Sequence, residues 1–235
     1  MNQSFSIKEN GSTEPVVLPV RRTKEDARIF YDRISRVYDC IGRIYERKFV
    51  ELALETLSIQ EGETVLEIGF GSGYCLERIA KYVGKTGKAY GLDISPGMVQ
   101  VTGRRLEKAR LMDRVELYCG DAASLPYKDS TFSAVFMSFM LELLDTPEIS
   151  IVLNEVKRVL KTGGRLGVVG MSAGNGHSLM VRLYEWTHQK WPKYVDCRPI
   201  HVQQLFQDAG YEIKRKEKSV LYGLPIEIVL AMKVG

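Results

Sequence analysis

Three glycines at every second position, Gly69, Gly71 and Gly73, stand where a short apolar run (Val65, Leu66, Ile68) gives way to a helical pattern, YCLERIAKYV. In a strand, glycine loop and helix the backbone does the chemistry. Glycine reaches angles closed to other residues and has no Cβ to hold a ligand off, so N–H groups can approach a nucleoside or an acid group. The dinucleotide fingerprint G-x-G-x-x-G looks much the same, although here the last glycine falls one residue early. A carboxylate, Asp93, closes the next strand-like run, KAYGLDIS, 24 residues after Gly69, where it can accept hydrogen bonds from both hydroxyls of a ribose. A side chain in that place is expected to contribute ligand contacts but no packing. A third run, RVELYCGDA, ends in Asp121 and Ala122.

The elements that must hold these residues can be read from periodicity. Residues 1–20 are polar, with Pro15 and Pro19, and suit a flexible tail. From Lys24, apolar residues (Phe30, Ile34, Val37, Tyr38, Ile41, Ile44, Tyr45) recur at three- and four-residue steps with arginines opposite, which predicts an amphipathic cover, broken near Gly42 and resuming to about Leu57. Gly84 suits a helix end, and Ser95 with Pro96 a helix start. FSAVFMSFM is apolar on both faces, as in a central parallel strand. A helix from Pro147 to Leu160 leads through Gly163 and Gly164 to the strand RLGVVGM. The helix HVQQLFQDAG precedes two strands, YEIKRKEKSV and LPIEIVLAMKV, which have no helix between them and so form a hairpin. The expected class is α/β: a Rossmann-like, seven-stranded, mostly parallel sheet with one antiparallel strand and helices on both faces. The charged KRKEK run suits an exposed edge.

Between strand five and the last helix lies an insertion, Ser172 to Pro199, too long for an ordinary loop. Its aromatics, Tyr184 among them, stand with Asp196, Cys197 and Arg198, and all three histidines (His177, His188, His201) lie in or beside it. Their spacings of 11 and 13 match no helical pair of metal ligands, so no metal is expected.

Composition narrows the classes. The chain has 235 residues, enough for one compact unit with additions, and a net charge of +4 spread along the sequence, which gives no electrostatic footprint for nucleic acid. The cysteines are scattered and read as reduced thiols. No run reaches the roughly 18 apolar residues of a spanning helix, which points to the cytoplasm with at most a peripheral membrane contact.

Glu67 before the glycines, then G-x-G-x-G, LDIS, GDA and LKTGGRL in this order, resemble the class I S-adenosylmethionine-dependent methyltransferases, above all the ubiquinone/menaquinone (UbiE-like) branch, from about Tyr31 to Lys233. The resemblance implies S-adenosyl-L-methionine as cofactor. Gly69, Gly71 and Gly73 would hold its methionine part, Asp93 the ribose, Ile94 and Met98 a face of the adenine, and Asp121 with the Ala122 backbone the adenine edge, with Glu67 and Ser138 completing the site. It divides the chain into a tail (1–20), a helical lid (21–60) in which Tyr38 of YDRISRVYD faces the site, and a cofactor-binding domain (61–235) with an acceptor-side insertion (172–199). Tyr38, Glu142, Tyr184 and Arg198 would line the acceptor pocket, with Asp196, His201 and Tyr38 as catalytic candidates. Quinone methyltransferases carry an Arg-Asn pair after S-F-x-L, where this chain has Glu142 and Leu143. A small or lipid-like acceptor is implied, an amine drawn by Glu142 being one form. Alternatives are quinone C-methylation, phospholipid amine N-methylation, a non-catalytic cofactor-binding regulator and a nicotinamide oxidoreductase.

Overall fold

The computed structural model describes residues 23–34, 43–172, 198–221 and 223–235, with the backbone alone for 43–46. Seven strands form one sheet: β1 (Thr64–Ile68), β2 (Lys88–Asp93), β3 (Val115–Cys119), β4 (Phe132–Ser138), β5 (Leu160–Met171), β6 (Tyr211–Leu221) and β7 (Leu224–Lys233), in the order β3-β2-β1-β4-β5-β7-β6. The first five run parallel, while β7 is antiparallel to both β5 and β6, as the hairpin requires. Strand order reverses between β1 and β4. In an open parallel sheet the crevice outside the carboxyl ends at such a reversal is where ligands sit.

Side chains leave a strand on alternate faces, and each central strand divides its residues between two cores accordingly. Val65, Ala134 and Phe136 pack with Leu54 and Leu57 of α2 (Arg43–Leu57) and Leu76 and Ile79 of α3 (Tyr74–Tyr82). Leu66, Ile68, Val135 and Met137 face the other way, onto Ile149, Val152 and Val156 of α5 (Thr146–Val159) and Phe206 of α6 (Val202–Asp208). Each of these fully buried side chains contributes about 1.5–3 kcal/mol by leaving water. Such double coverage explains the near-continuous apolar runs of β1 and β4.

The helix α4 (Pro96–Ala109) starts where Ser95 accepts a hydrogen bond from the Met98 N–H at 3.2 Å, with Pro96 in its first turn. Nothing in the structure requires glycine at Gly103. The helix α1 (Lys24–Ile34) is opened by a reciprocal cap, in which Asp26 N–H donates to Thr23 Oγ1 at 3.1 Å and Thr23 N–H to Asp26 Oδ2 at 3.3 Å. No residue of α1 is fully buried.

Two boundaries differ from the sequence expectation. α5 ends at Val159 and β5 begins at Leu160, with no intervening loop before Arg165. The cause is the entry of β4: Ser130 and Thr131 N–H donate to the Arg158 and Val159 carbonyls and Phe132 pairs with Leu160, so this backbone joins the sheet through a register shift. β3 stops at Cys119, which leaves Gly120, Asp121 and Ala122 to turn over the strand ends. β6, with its charged run exposed, is an edge strand.

Candidate functional site

The loop between β1 and α3 is set by its three glycines, with φ of +73° at Gly69, +53° at Gly71 and +78° at Gly73, all in the left-handed region. Space agrees with angle. A Cβ on Gly69 would come within 2.7 Å of Met140 Cγ, and one on Gly73 within 2.5 Å of Thr102 Cγ2. Neighbouring elements bolt the loop down: Thr102 Oγ1 donates to the Gly71 carbonyl and Arg105 Nε to that of Ser72, both at 2.8 Å.

Asp93 joins the loop to the turn after β2. Its Oδ2 accepts the Gly71 N–H at 2.8 Å and its Oδ1 the Ser95 N–H at 2.9 Å. The side chain is therefore structural as well as cavity-facing, which corrects the expectation that it contributes no packing. Burial pushes its carboxyl above the ordinary range, against the pull of the N–H groups of Ser95, Gly71 and Ile94, which favour the anion. An ionised carboxylate offers about four lone-pair sites, so two backbone bonds leave capacity for a ligand's hydroxyls.

A cavity of about 220 Å³ opens here. Of the residues singled out from the sequence for a cofactor, Glu67, Gly69, Gly71, Asp93, Ile94, Met98, Asp121, Ala122 and Ser138 all stand in its wall. Gly73 lies just behind, as the residue preceding α3. Asp121 is held by the Ala123 N–H on Oδ1 at 2.9 Å. The loop that carries it is tied to α5, where Glu155 accepts the Leu125 N–H and Arg158 donates to the carbonyls of Leu125 and Tyr127.

The acceptor-side candidates are placed differently. Glu142 is wholly buried, and its Oε1 accepts the Met171 N–H at 3.1 Å. Arg198 is 1% exposed; its backbone N–H donates to the Glu142 carbonyl, and its guanidinium donates twice to the Leu144 carbonyl, at 3.1 and 2.6 Å, and to Thr146 Oγ1 at 3.2 Å. Burial lowers the pKa of this guanidinium, with the Asp145 charge opposing. Both residues stand at the carboxyl edge of the sheet, behind a loop whose Phe139, Met140, Leu143, Leu144 and Asp145 line the cavity. Neither is itself in the wall described for that cavity. His201, just before α6, is likewise outside it. Tyr38, Tyr184, Asp196 and Cys197 lie outside the described residues.

Several wall residues had no sequence signal. Phe139 holds a φ of +49°, costly for a bulky side chain, with its N–H on the Val169 carbonyl at the end of β4. Tyr74 donates its hydroxyl to Glu51 at 2.5 Å, and the Arg47 guanidinium stands 4.9 Å over its ring. Burial, followed by that hydrogen bond, pushes the Tyr74 phenol up to about 12. Thr23, Lys24, Ala27 and Tyr31 show that α1 lies across the crevice. The helical period had located α1, but not the partners it would find.

Comparison with known proteins agrees with this geometry. The family model described as a methyltransferase domain matches residues 65–164. A demethylmenaquinone methyltransferase of Geobacillus sp. (strain WCH70) is 32% identical over 146 residues, covering 57% of this chain and 61% of that protein, so the match spans less than two thirds of the relative. Another, from Symbiobacterium thermophilum, is 27% identical over 215 residues, covering 78% of this chain and 84% of the relative. Among solved structures, an S-adenosylmethionine-dependent methyltransferase of Aquifex aeolicus superposes with a TM-score of 0.59 at 27% identity, over 79% of this chain and 89% of that one.

Proposed function

We propose that the chain, which matches a methyltransferase domain over residues 65–164, transfers a methyl group from S-adenosylmethionine to a small-molecule or lipid-like acceptor by in-line displacement. The observation that carries this is the wall of one cavity. Two left-handed glycines, Gly69 and Gly71, a strand-end carboxylate bridging loop and turn, and a second carboxylate with a neighbouring backbone turn stand in the order a nucleoside joined to an amino acid would need. At Gly69 a Cβ would strike Met140, itself in the cavity wall, so glycine keeps the loop and Met140 side by side at the place assigned to the ligand.

In this assignment the Gly69 to Gly73 loop takes the methionine part, Asp93 the ribose hydroxyls, Ile94 and Met98 a face of the base, and Asp121 with Ala122 its edge, while Glu67 and Ser138 complete the wall. S-adenosylmethionine, when bound, supplies a methyl group already activated on a sulfonium. The protein's own task is to hold the acceptor in attack geometry and exclude water. The α1 residues and the loop 139–145 provide cover on the side that the sheet leaves open. An acceptor that arrives protonated needs a base, for which Asp196 and His201 are the candidates. The apolar part of the wall, with Phe139, Met140, Leu143 and Leu144, supports a largely apolar acceptor. Among the described residues no helix is long and apolar enough to cross a membrane.

Incubation with S-adenosylmethionine and separate quinol, amine, thiol and lipid acceptors, followed by chromatography for S-adenosylhomocysteine, tests the proposal. Product above the acceptor-free control is expected with at least one class. Tight cofactor binding with no product in any class would favour a non-catalytic cofactor-binding protein, and a melting temperature raised by a nicotinamide dinucleotide but not by S-adenosylhomocysteine would overturn the assignment.

A further inference from the structure

α1 has no fully buried side chain, though Tyr31 packs partly against the core, and polar contacts tie the helix at both ends. At its first residue, Lys24 Nζ lies 2.6 Å from Asp121 Oδ2, beyond β3, and 2.6 Å from Glu148 Oε1, in the first turn of α5. One ammonium thus spans two elements of the wall. Near its other end, Asp32 Oδ1 accepts the Gly97 N–H of α4 at 2.7 Å. Between these ties Tyr31 faces the cavity. Thr23, Lys24, Ala27 and Tyr31 together give α1 and the residue before it a share of the cavity wall, so a displacement of α1 changes access to the cavity.

The geometry points to Lys24 as an ionic latch that holds α1 closed across the cavity, so that ligand entry and release require its contacts with Asp121 and Glu148 to break. The site it gates is the one assigned above to the cofactor, and the inference rests on that assignment for its choice of probe. One carboxylate takes part in both functions: Asp121 closes the latch through Oδ2 and stands where the edge of the base is assigned. A ligand at that carboxylate is therefore coupled to the state of α1. The ammonium and its two partners are between 22% and 41% exposed, which makes the latch weak, reversible and sensitive to salt.

The test uses the full chain and its variants Lys24→Met and Glu148→Gln, the second removing one arm while sparing Asp121. Amide hydrogen exchange without ligand should be accelerated across residues 24–34 by about three- to tenfold in Lys24→Met and less in Glu148→Gln, with β1 and β4 unchanged. S-adenosylhomocysteine should leave Lys24→Met faster by a similar factor, and raising the salt concentration should bring the unmutated protein toward the variant. Unchanged exchange in α1 would overturn the latch. Accelerated exchange with an unchanged release rate would also overturn it, since α1 would then open without gating the site. Failure of the unmutated protein to bind S-adenosylhomocysteine would defeat the cofactor assignment instead, leaving the exchange measurement to decide the latch alone.

Discussion

Replacing Asp93 by asparagine separates the two functions that the structure gives this carboxylate. Its two oxygens each accept one backbone N–H, from Gly71 and from Ser95, and the side chain is 7% exposed. Asparagine keeps the shape but offers one oxygen and one NH₂ group. Whichever way it turns, one of the two N–H groups faces another donor and loses its partner. An unsatisfied buried N–H costs about 1–3 kcal/mol. In a chain of this size that is a fall of roughly 2–12 °C in melting temperature, at about 2–4 °C per kcal/mol. The assay is thermal unfolding without ligand, followed by calorimetric titration with S-adenosylhomocysteine, in which the loss of charged hydrogen bonds should weaken binding by on the order of 1.5–3 kcal/mol. A variant as stable as the unmutated protein when unliganded, yet unable to bind, would refute the structural half and restore Asp93 to a ligand contact alone. Lowered stability with unchanged affinity would refute the other half.

Gly71→Val places a β-branched residue at a φ of +53°, so a cost of about 1–3 kcal/mol in stability and loss of S-adenosylhomocysteine binding are expected by calorimetry. For Glu155, the hydrogen bond from Arg158 holds the carboxyl below its ordinary 4.5, with burial opposing and the Leu125 N–H assisting. A depressed folded-state value means stability present above the ordinary pKa and lost as pH falls through the folded one, so Glu155→Gln should cost about 0.5–1 kcal/mol in urea unfolding at neutral pH and nothing in strong acid. Removal of residues 1–20 should spare turnover, whereas removal of 1–45 should abolish it while leaving part of the cofactor affinity, as measured by product formation and calorimetry. Arg198→Lys cannot keep the forked contact with the Leu144 carbonyl, so stability, S-adenosylhomocysteine affinity and turnover should fall together; loss of turnover alone would place Arg198 on the acceptor.

The sheet was legible because its signals are local. Short, near-continuous apolar runs named β1 and β4, Ser95 and Pro96 named the start of α4, and the absence of a helix between the last two runs dictated the antiparallel strand. The wall of the cavity was legible for a related reason. Asp93 follows its apolar run directly and could be placed without knowing how strands pair, whereas the site roles expected of Asp121 and Ser138 came from the family resemblance. The start of β5 at Leu160 was not legible, because it depends on the Ser130 and Thr131 N–H groups arriving from a distant part of the chain. Lys24 was equally silent: its two carboxylates lie 97 and 124 residues away, and nothing in a helical period names such partners.

Glu142 and Arg198 show how a sequence reading of charge is altered by burial. A carboxylate after β4 and a guanidinium beside an aromatic insertion suggest groups aimed at a ligand. A charge taken out of water is costly unless it meets polar groups inside the protein: Glu142 Oε1 accepts the Met171 N–H, and the Arg198 guanidinium donates to the Leu144 carbonyl. The backbones of the two residues also meet, through the Arg198 N–H and the Glu142 carbonyl. They therefore brace one loop from behind, and what that loop presents to the cavity is Phe139, Met140, Leu143, Leu144 and Asp145. Glu142 stands outside the described cavity wall with its Oε1 on the Met171 N–H, so it offers an amine in the cavity no direct contact there. Under the proposed function, acceptor choice would rest on the shape of the apolar surface that this loop adds to the cavity, held at one point by a phenylalanine in the left-handed region. Such a surface selects by size and fit, where a missing methylene changes preference by only about 1–3 kcal/mol. That makes closely related acceptors hard to separate by this loop alone, and leaves the rest of the discrimination to the segments that meet the cavity from the other side.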